Sequence, residues 1–387
     1  MTRGDDFSPS RALKLELLGV LPLSIEAYTI HITDPRQSKN QQYSLQSLML
    51  IVFSSVISGY DTPDSMVEFA KLKLDWLRQY TELKSVPCAE TLRFFIAGLQ
   101  PAEFIKAFEA FVHAMGATPE GDIISIDGKT MRGTRNKTFE ALHVVSAWSR
   151  ARGITLAALE SKGKANEIET VPELLDLLDI KGATVTTDAM SCQRAIAAKI
   201  REREGHYVLQ IKNNQANLLK EIQAYHHKLE RDGYGEIVRA CFEEVDKGHG
   251  RLETRTYQQF ELSDWVAGRD AWVDARSVIR VERTRVLASK ETREVAWYLS
   301  SLAIDAKHAA EAVRGHWECE NKLHWRLDVI FKEDDYRQNT GAITMALLKR
   351  FCMNLLTTKD KSKRRMKHKV MAAAIDDGYR AQMLFGA

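Results

Sequence analysis

Cysteine is scarce in this sequence and poorly placed for cross-linking. The five present, Cys88, Cys192, Cys241, Cys319 and Cys352, are odd in number and widely spread, with no CxxC pair. That argues against a disulfide framework or a cysteine zinc site and fits a reducing cytosol. Long apolar runs are missing too. The greasiest stretch, Leu45 to Ile57, is interrupted by serines and a glutamine and is shorter than the roughly 20 residues that span a bilayer. It predicts a buried helix, and no membrane partner is expected. The opening MTRGDDFSPSR carries acids and no apolar stretch, unlike a signal peptide, so the expected location is cytoplasmic. An excess of one charge is also absent, since 55 Lys and Arg face 52 Asp and Glu for a formal net charge of +3. Any nucleic-acid reading must therefore rest on where the charges sit. No internal repeat with a period of roughly 20–50 residues is apparent.

What is present changes texture along the chain. Residues 1–116 read as a helical N-terminal domain: "YSLQSLMLIVFSSVISG" ends at a glycine, and "SMVEFAKLKLDWLRQYTEL" and "AEFIKAFEAFVHAMG" have apolar residues at helical spacing. The polar Pro/Gly break "ATPEGD" then marks a boundary. Over 117–215, "DIISIDG", "ALHVVSAWS" and "GITLAALES" read as three strands. "ETVPELLDLLDI" reads as a helix that Pro172 could begin, followed by strand "GATVTTDA", helix "CQRAIAAKIRERE" and strand "HYVLQIKNNQ". This order predicts an α/β, ribonuclease-H-like mixed sheet flanked by helices. Residues 216–303 read as an insertion, helical at "ANLLKEIQAYHHKLER" and β-rich at "TRTYQQFEL", "SVIRVERTRVL" and "EVAWYLSSL". Residues 304–357 return to helix and complete the core. Residues 358–387 form a basic tail, with seven Lys or Arg in "KDKSKRRMKHK", expected as a solvated helix or loose end.

Two acids stand where apolar strands give out, Asp127 in "SIDGKTMRG" and Asp188 in "TVTTDAM". Carboxylates at neighbouring strand ends repel unless a cation lies between them, and hard oxygen ligands suit Mg²⁺ or Mn²⁺. Turns favour Asp in any case, so a strand that simply surfaces in solvated charge remains the plain alternative. A third acid could come from "RGHWECENKLHWRLDVIFKED", a helix with Trp317 and Leu327 alongside. On it His316, Glu320 and His324 share one stripe, a spacing that also admits zinc. A zinc site there would leave the two aspartates without a role. "IKNNQ" offers Lys212 and Asn214 to phosphates or base edges. "DKGHGRLETR" offers His249, Arg251 and Arg255 to a DNA backbone, or is a plain hairpin turn.

Taken together, "SIDGKTMRG", "LHVVSAWS", "KANEIETVPELLDLLDIKGATVTTDAMSCQ", "YVLQIKNNQ", "DKGHGRLETR" and "RGHWECENKLHWRLDVIFKEDDYR" resemble the successive signatures of the H-repeat-associated transposases of bacterial insertion sequences, within the DDE superfamily. The resemblance covers nearly the whole chain, including the helical domain that precedes catalysis. It departs at Pro87-Cys88-Ala89-Glu90-Thr91, where the family usually shows Pro-Ser-His-Asp-Thr. The family implies a ribonuclease-H-like core with a β-rich insertion before the last acidic helix. It also implies a catalytic and metal-binding triad of Asp127, Asp188 and Glu320, with Glu318 less well matched and Arg314 or His316 in a cation's place.

On that resemblance the expected function is a DNA transposase, using Mg²⁺ (or Mn²⁺) for strand cleavage and strand transfer. Its partners would be double-stranded DNA at the element's terminal inverted repeats and at the target, bound as a homodimer, with the protein nucleoid-associated when bound. DNA contacts are expected from Lys129, Arg132, Lys212, Asn214, His249, Arg251, Arg314, His316, Trp317 and Asn321. The alternative is a catalytically inactive or host-domesticated DNA-binding or nuclease relative.

Overall fold

The computed structural model describes residues 29–37, 39, 41–248, 251–287 and 290–386. Nine strands form one sheet: β1 (Ile123–Met131), β2 (Leu142–Ser149), β3 (Ile154–Ser161), β4 (Thr184–Thr187), β5 (His206–Ile211), β6 (Arg239–Gly248), β7 (Arg251–Glu261), β8 (Ser277–Leu287) and β9 (Lys290–Ser300). Their spatial order is β3-β2-β1-β4-β5-β9-β8-β7-β6. β1, β2 and β3 pair with one another in antiparallel fashion, while β1, β4 and β5 are mutually parallel. That is the ribonuclease-H-like arrangement predicted from element order. The near-continuous apolar runs of β2 and β3 follow from burial on both faces.

The inserted strands extend this same sheet. β9 pairs with β5 in antiparallel fashion from Val208↔Ser300 to Ile211↔Trp297, and β8, β7 and β6 follow outward. Because β5 stops at Ile211 while β9 begins at Lys290, the β6–β9 ribbon overhangs the edge at which β4 and β5 end. β6 has the exposed and half-buried alternation of a solvated edge, and no apolar run marked it in the sequence.

Helices cover both faces. In the N-terminal part these are α1 (Leu45–Ile57), α2 (Pro63–Leu72), α3 (Ala89–Gly98) and α4 (Pro101–Ala114). Ser44 caps α1, its side chain accepting from the Ser47 N–H. Next come α5 (Glu167–Asp176), α6 (Arg194–Glu202), α7 (Ala216–Asp232), α8 (Ala306–Glu318) and α9 (Ala342–Lys359). α5 begins at Glu167, so Pro172 lies inside it instead of opening it. Its acids Glu167 and Glu169 occupy the first turn, where the helix dipole favours negative charge. α8 lies across β1, β4, β6 and β7. It seats Ala309, Ala310, Ala312 and Val313 on Ile123, Tyr257 and Ile279. Gly315 is required there, because a Cβ would come within 2.7 Å of Ile123.

The basic tail is not a loose end. Residues 366–385 form α10 (Met366–Ile375) and α11 (Asp377–Phe385), which dock on the N-terminal helices. Ser58 Oγ donates to the Ala373 carbonyl (3.1 Å), and Phe385 stacks on Tyr80. Arg380 is fully buried over Trp76, and Lys369 Nζ donates to the Leu356 carbonyl at 3.1 Å. Apolar residues of both helices, Val370, Ala373, Met383 and Leu384, are buried in the core shared with α1, which outweighs the solvation of the intervening charges. Among the described residues no helix is long and apolar enough to cross a membrane.

Candidate active site

Asp127 is the fifth residue of a nine-residue strand, not its end. Its position is nevertheless an edge. β1 pairs with β4 only as far as Ile126↔Thr187, so Asp127 and Asp188 are the next residues on each strand, where the two diverge. Gly128 N–H donates to Asp127 Oδ1 (2.9 Å), and Ser191 N–H to Asp188 Oδ1 (3.0 Å). Burial pushes the Asp127 carboxyl up to about 7, reinforced by the charges of Glu167, Asp188 and Glu320 and opposed by the Gly128 hydrogen bond. Asp188 and Glu320 thus both act on Asp127, with Glu320 itself solvent-exposed.

The third acid sits on an irregular segment. After α8 the chain passes through a π-helical stretch, Cys319–His324, into a short α-helix, Trp325–Val329. A π turn closes at i+5 in place of i+4. Cys319 and His324 therefore share a side, and their sulfur and nitrogen come within 4.8 Å of an Asp127 oxygen and of each other. His324 Nδ1 is 3.5 Å from Asp127 Oδ2. Burial drives the His324 imidazole down to about 3 and the Cys319 thiol well above its ordinary range. His316, one turn before the π stretch, is lowered chiefly by burial, with Asp188 opposing and Lys212 reinforcing. It therefore faces Asp188, while His324 faces Asp127. The same extra residue per turn breaks the His316–Glu320–His324 stripe on which the zinc alternative rested.

These donors could hold a divalent cation. Asp127 shares a 4.8 Å group with Cys319 and His324, the charges of Asp188 and Glu320 reach it, and no Lys or Arg is ion-paired to any of these three acids among the described residues. His316 Nδ1 and His324 Nε2 are buried there without a hydrogen-bond partner among the described residues. Crowded acids of this kind are stabilised by a cation between them.

The predicted DNA contacts divide into two groups. Lys212 and Asn214 are exposed beside Asp188, with Asn214 Nδ2 donating to the Ala189 carbonyl at 2.5 Å. A cavity of about 500 Å³ opens there, lined by Met190, Gln210, Lys212, Asn213, Asn214 and Trp297 among others. Trp317 is 52% exposed, and Asn321 beside it donates to its carbonyl. Arg132 is 86% exposed. Arg314 lies 3.9 Å from Glu244 of the ribbon. Arg251 and Arg255 both pair with buried Glu253, which Arg285 also approaches, so three cations share one acid. His249 lies outside the described residues.

Two of the expected contacts are turned inward. Lys129 is buried and held by Asp328 (2.6 Å), Asp334 (2.8 Å) and Glu333 (3.7 Å), acids two hundred residues away that nothing local in "DGKTMRG" announces. His316 is packed toward Asp188, as described. His143 and Glu167, whose ring and carboxylate meet under Gly128, are not singled out by any motif in the sequence. Both lie in blocks that carried the family resemblance, which was the available signal. The atypical Cys88 is the N-cap of α3, with no side-chain cap bond to the helix backbone.

Comparison with known proteins identifies the family. Residues 118–355 match the family described as transposase DDE domain, and residues 28–112 match its associated N-terminal domain. The H repeat-associated putative transposase YhhI of Escherichia coli (strain K12) is 32% identical over 366 residues, covering 92% of this chain and 96% of its own length. The Escherichia coli (strain K12) protein named putative protein YbfL is equally similar, 32% over 366 residues. A solved piggyBac transposase synaptic complex with hairpin DNA superposes over 99% of this chain with a TM-score of 0.47 and 11% identity.

Proposed function

The chain belongs to the DDE transposase family, and from that premise we propose that it cuts and joins DNA at the ends of an insertion sequence, with Asp127, Asp188 and Glu320 as the metal-binding triad. The observation that carries this reading is Asp127 itself, placed with Asp188 where β1 and β4 part and raised by burial and by the charges of Asp188 and Glu320, with no Lys or Arg paired to it among the described residues. A divalent cation held there would supply Lewis acidity toward a scissile phosphate and lower the pKa of water or a 3′-hydroxyl.

The chain's own part is positioning and electrostatics. In this reading the triad supplies negative charge at the diverging strand ends, and the π segment that carries Glu320 is anchored by the burial of Cys319, Leu323 and Leu327. Lys212, Arg132 and Arg314, and the arginines that outnumber Glu253 on the ribbon, provide cations on the surfaces a DNA backbone would follow. Trp317 and the amides of Asn214 and Asn321 would face bases near the cut.

The test is cleavage of DNA carrying the element's own ends, in Mg²⁺ and in Mn²⁺. Asp127→Asn, Asp188→Asn and Glu320→Gln should each reduce cutting by at least about 100-fold while end binding persists. Retained cleavage in Asp127→Asn would overturn the assignment. End binding without metal-dependent cutting by the unaltered protein would instead mark an inactive relative.

A further inference from the structure

His143 and Glu167 form a buried pair that the triad does not explain. Glu167 is the first residue of α5 and is 4% exposed, while His143, on β2, is 2% exposed. His143 Nε2 lies 2.6 Å from Glu167 Oε1, and its Nδ1 lies 2.8 Å from Thr130 Oγ1. In the neutral ring Nε2–H donates to the carboxylate and Nδ1 accepts from the threonine hydroxyl, so the ring orientation is fixed at both ends. Burying a carboxylate for packing alone is unfavourable, and α5 could bury a leucine at this position at less cost.

The pair meets β1 at one point. A Cβ on Gly128 would fall 2.4 Å from both Glu167 Oε1 and His143 Nε2. Only glycine fits, and the carboxylate therefore packs directly on the backbone that follows Asp127. Successive strand residues point to opposite faces, so Glu167 approaches from the face opposite to the Asp127 side chain. It is placed to act on Asp127 through the strand without occupying the triad's own space.

We propose that Glu167, oriented by His143 and Thr130, is a positioning residue for Asp127, a fourth carboxylate set behind the strand that strengthens divalent-cation binding at the triad. The proposal rests on the metal-site reading above. The added negative charge makes the site more attractive to a dication, and the brace on Gly128 holds the Asp127 backbone where β1 leaves β4. Neither effect requires Glu167 to touch the cation.

The experiment measures Mn²⁺ affinity of the full-length, DNA-free protein by electron paramagnetic resonance of the free ion, alongside the melting temperature in chelator. Glu167→Gln keeps an oxygen that can accept from His143 Nε2–H and removes only the charge. It should weaken Mn²⁺ binding by about tenfold or more with the metal-free melting temperature unchanged or raised. His143→Ala leaves the charge but frees it, and should weaken binding by a smaller factor, about three- to tenfold. Asp188→Asn is the reference for the triad. If Asp188→Asn loses Mn²⁺ while Glu167→Gln binds within twofold of the unaltered protein, the inference fails and the metal site stands. If Asp188→Asn and Asp127→Asn bind Mn²⁺ as tightly as the unaltered protein, the metal-site reading itself fails. Should Glu167→Gln not fold, His143→Ala decides, and an affinity within twofold of the unaltered protein overturns the proposal.

Discussion

Two carboxylate clusters lie two residues apart along β1, and they are opposite in kind. Around Asp127 the charges of Glu167, Asp188 and Glu320 all act on its carboxyl. Around Lys129 the acids Asp328, Glu333 and Asp334 converge on its ammonium, and Arg350 pairs with Glu333 at 2.5 Å. Both Arg350 and Glu333 are fully buried. The first cluster carries charge that the fold leaves uncompensated, and the second is compensated within the chain. The difference separates a group of acids that a cation could bridge from a clamp that holds the segment after the π stretch onto the sheet. Proximity of acids alone does not make the distinction; the presence of an internal cation does.

The comparison can be broken most severely at Lys129. Lys129→Met keeps the aliphatic stem but leaves the three acids with Arg350 on Glu333 and the exposed Arg132 3.8 Å from Asp334. Removing one partner of a buried ion pair typically costs about 3–5 kcal/mol. Asp328 and Asp334 are partly exposed, which places the expected loss at the lower end of that range. Chemical denaturation should show it as a lower midpoint with unchanged slope. Cleavage should fall as well, because Asp328 and Asp334 fasten the chain just beyond Glu320. A stable Lys129→Met protein that loses only DNA affinity would return Lys129 to the role of a phosphate contact.

The uncompensated cluster should respond in the opposite sense. Its Asp127 carboxyl is held up to about 7 from an ordinary value of 3.8. The folded chain thus holds this proton more tightly than the unfolded one. The associated stability is fully present below about pH 4 and is lost as pH rises through about 7, an effect on the order of 2–4 kcal/mol. In chelator, the melting temperature should fall between pH 5 and pH 8, and Asp127→Asn should flatten that fall and melt higher at pH 8. Saturating Mn²⁺ should recover the loss at pH 8 in the unaltered protein but not in Asp127→Asn. A pH profile unaffected by Asp127→Asn would place the proton elsewhere.

How far the sequence foretold the two clusters follows from the range of the interactions that build them. The five core strands were legible because apolar runs bounded by turns reflect local burial, and Asp127 and Asp188 stood out as acids within those runs. The partners of Lys129 were not legible, since Asp328 and Asp334 meet it only after α8 crosses the sheet. Nor was the π stretch, because helical periodicity assumes 3.6 residues per turn, and the added residue moves Glu320, Cys319 and His324 relative to that stripe. β6 escaped for a related reason: "RACFEEVDKG" alternates half-exposed with exposed residues, so it carries little apolar signal. The tail's charges concealed helices whose buried faces are only a few residues wide.

Arg132 gives the smallest effect and the finest distinction between the clusters. It belongs to the same basic run as Lys129 and reaches the same acid, yet its guanidinium is 3.8 Å from Asp334 and 86% exposed. Exposed pairs of that geometry contribute about 0–1 kcal/mol, and the Arg132 backbone N–H, which survives substitution, also donates to Asp334 at 3.3 Å. Arg132→Ala should therefore shift the denaturation midpoint by less than about 0.5 kcal/mol. If Arg132 instead spends its charge on DNA, the same substitution should weaken end binding and lower the slope of log affinity against log salt by about 1. Loss of stability with the salt slope unchanged would assign Arg132 to the clamp. Loss of slope with stability unchanged would make the compensated cluster end at Asp334, and the surface that meets DNA begin one side chain farther out.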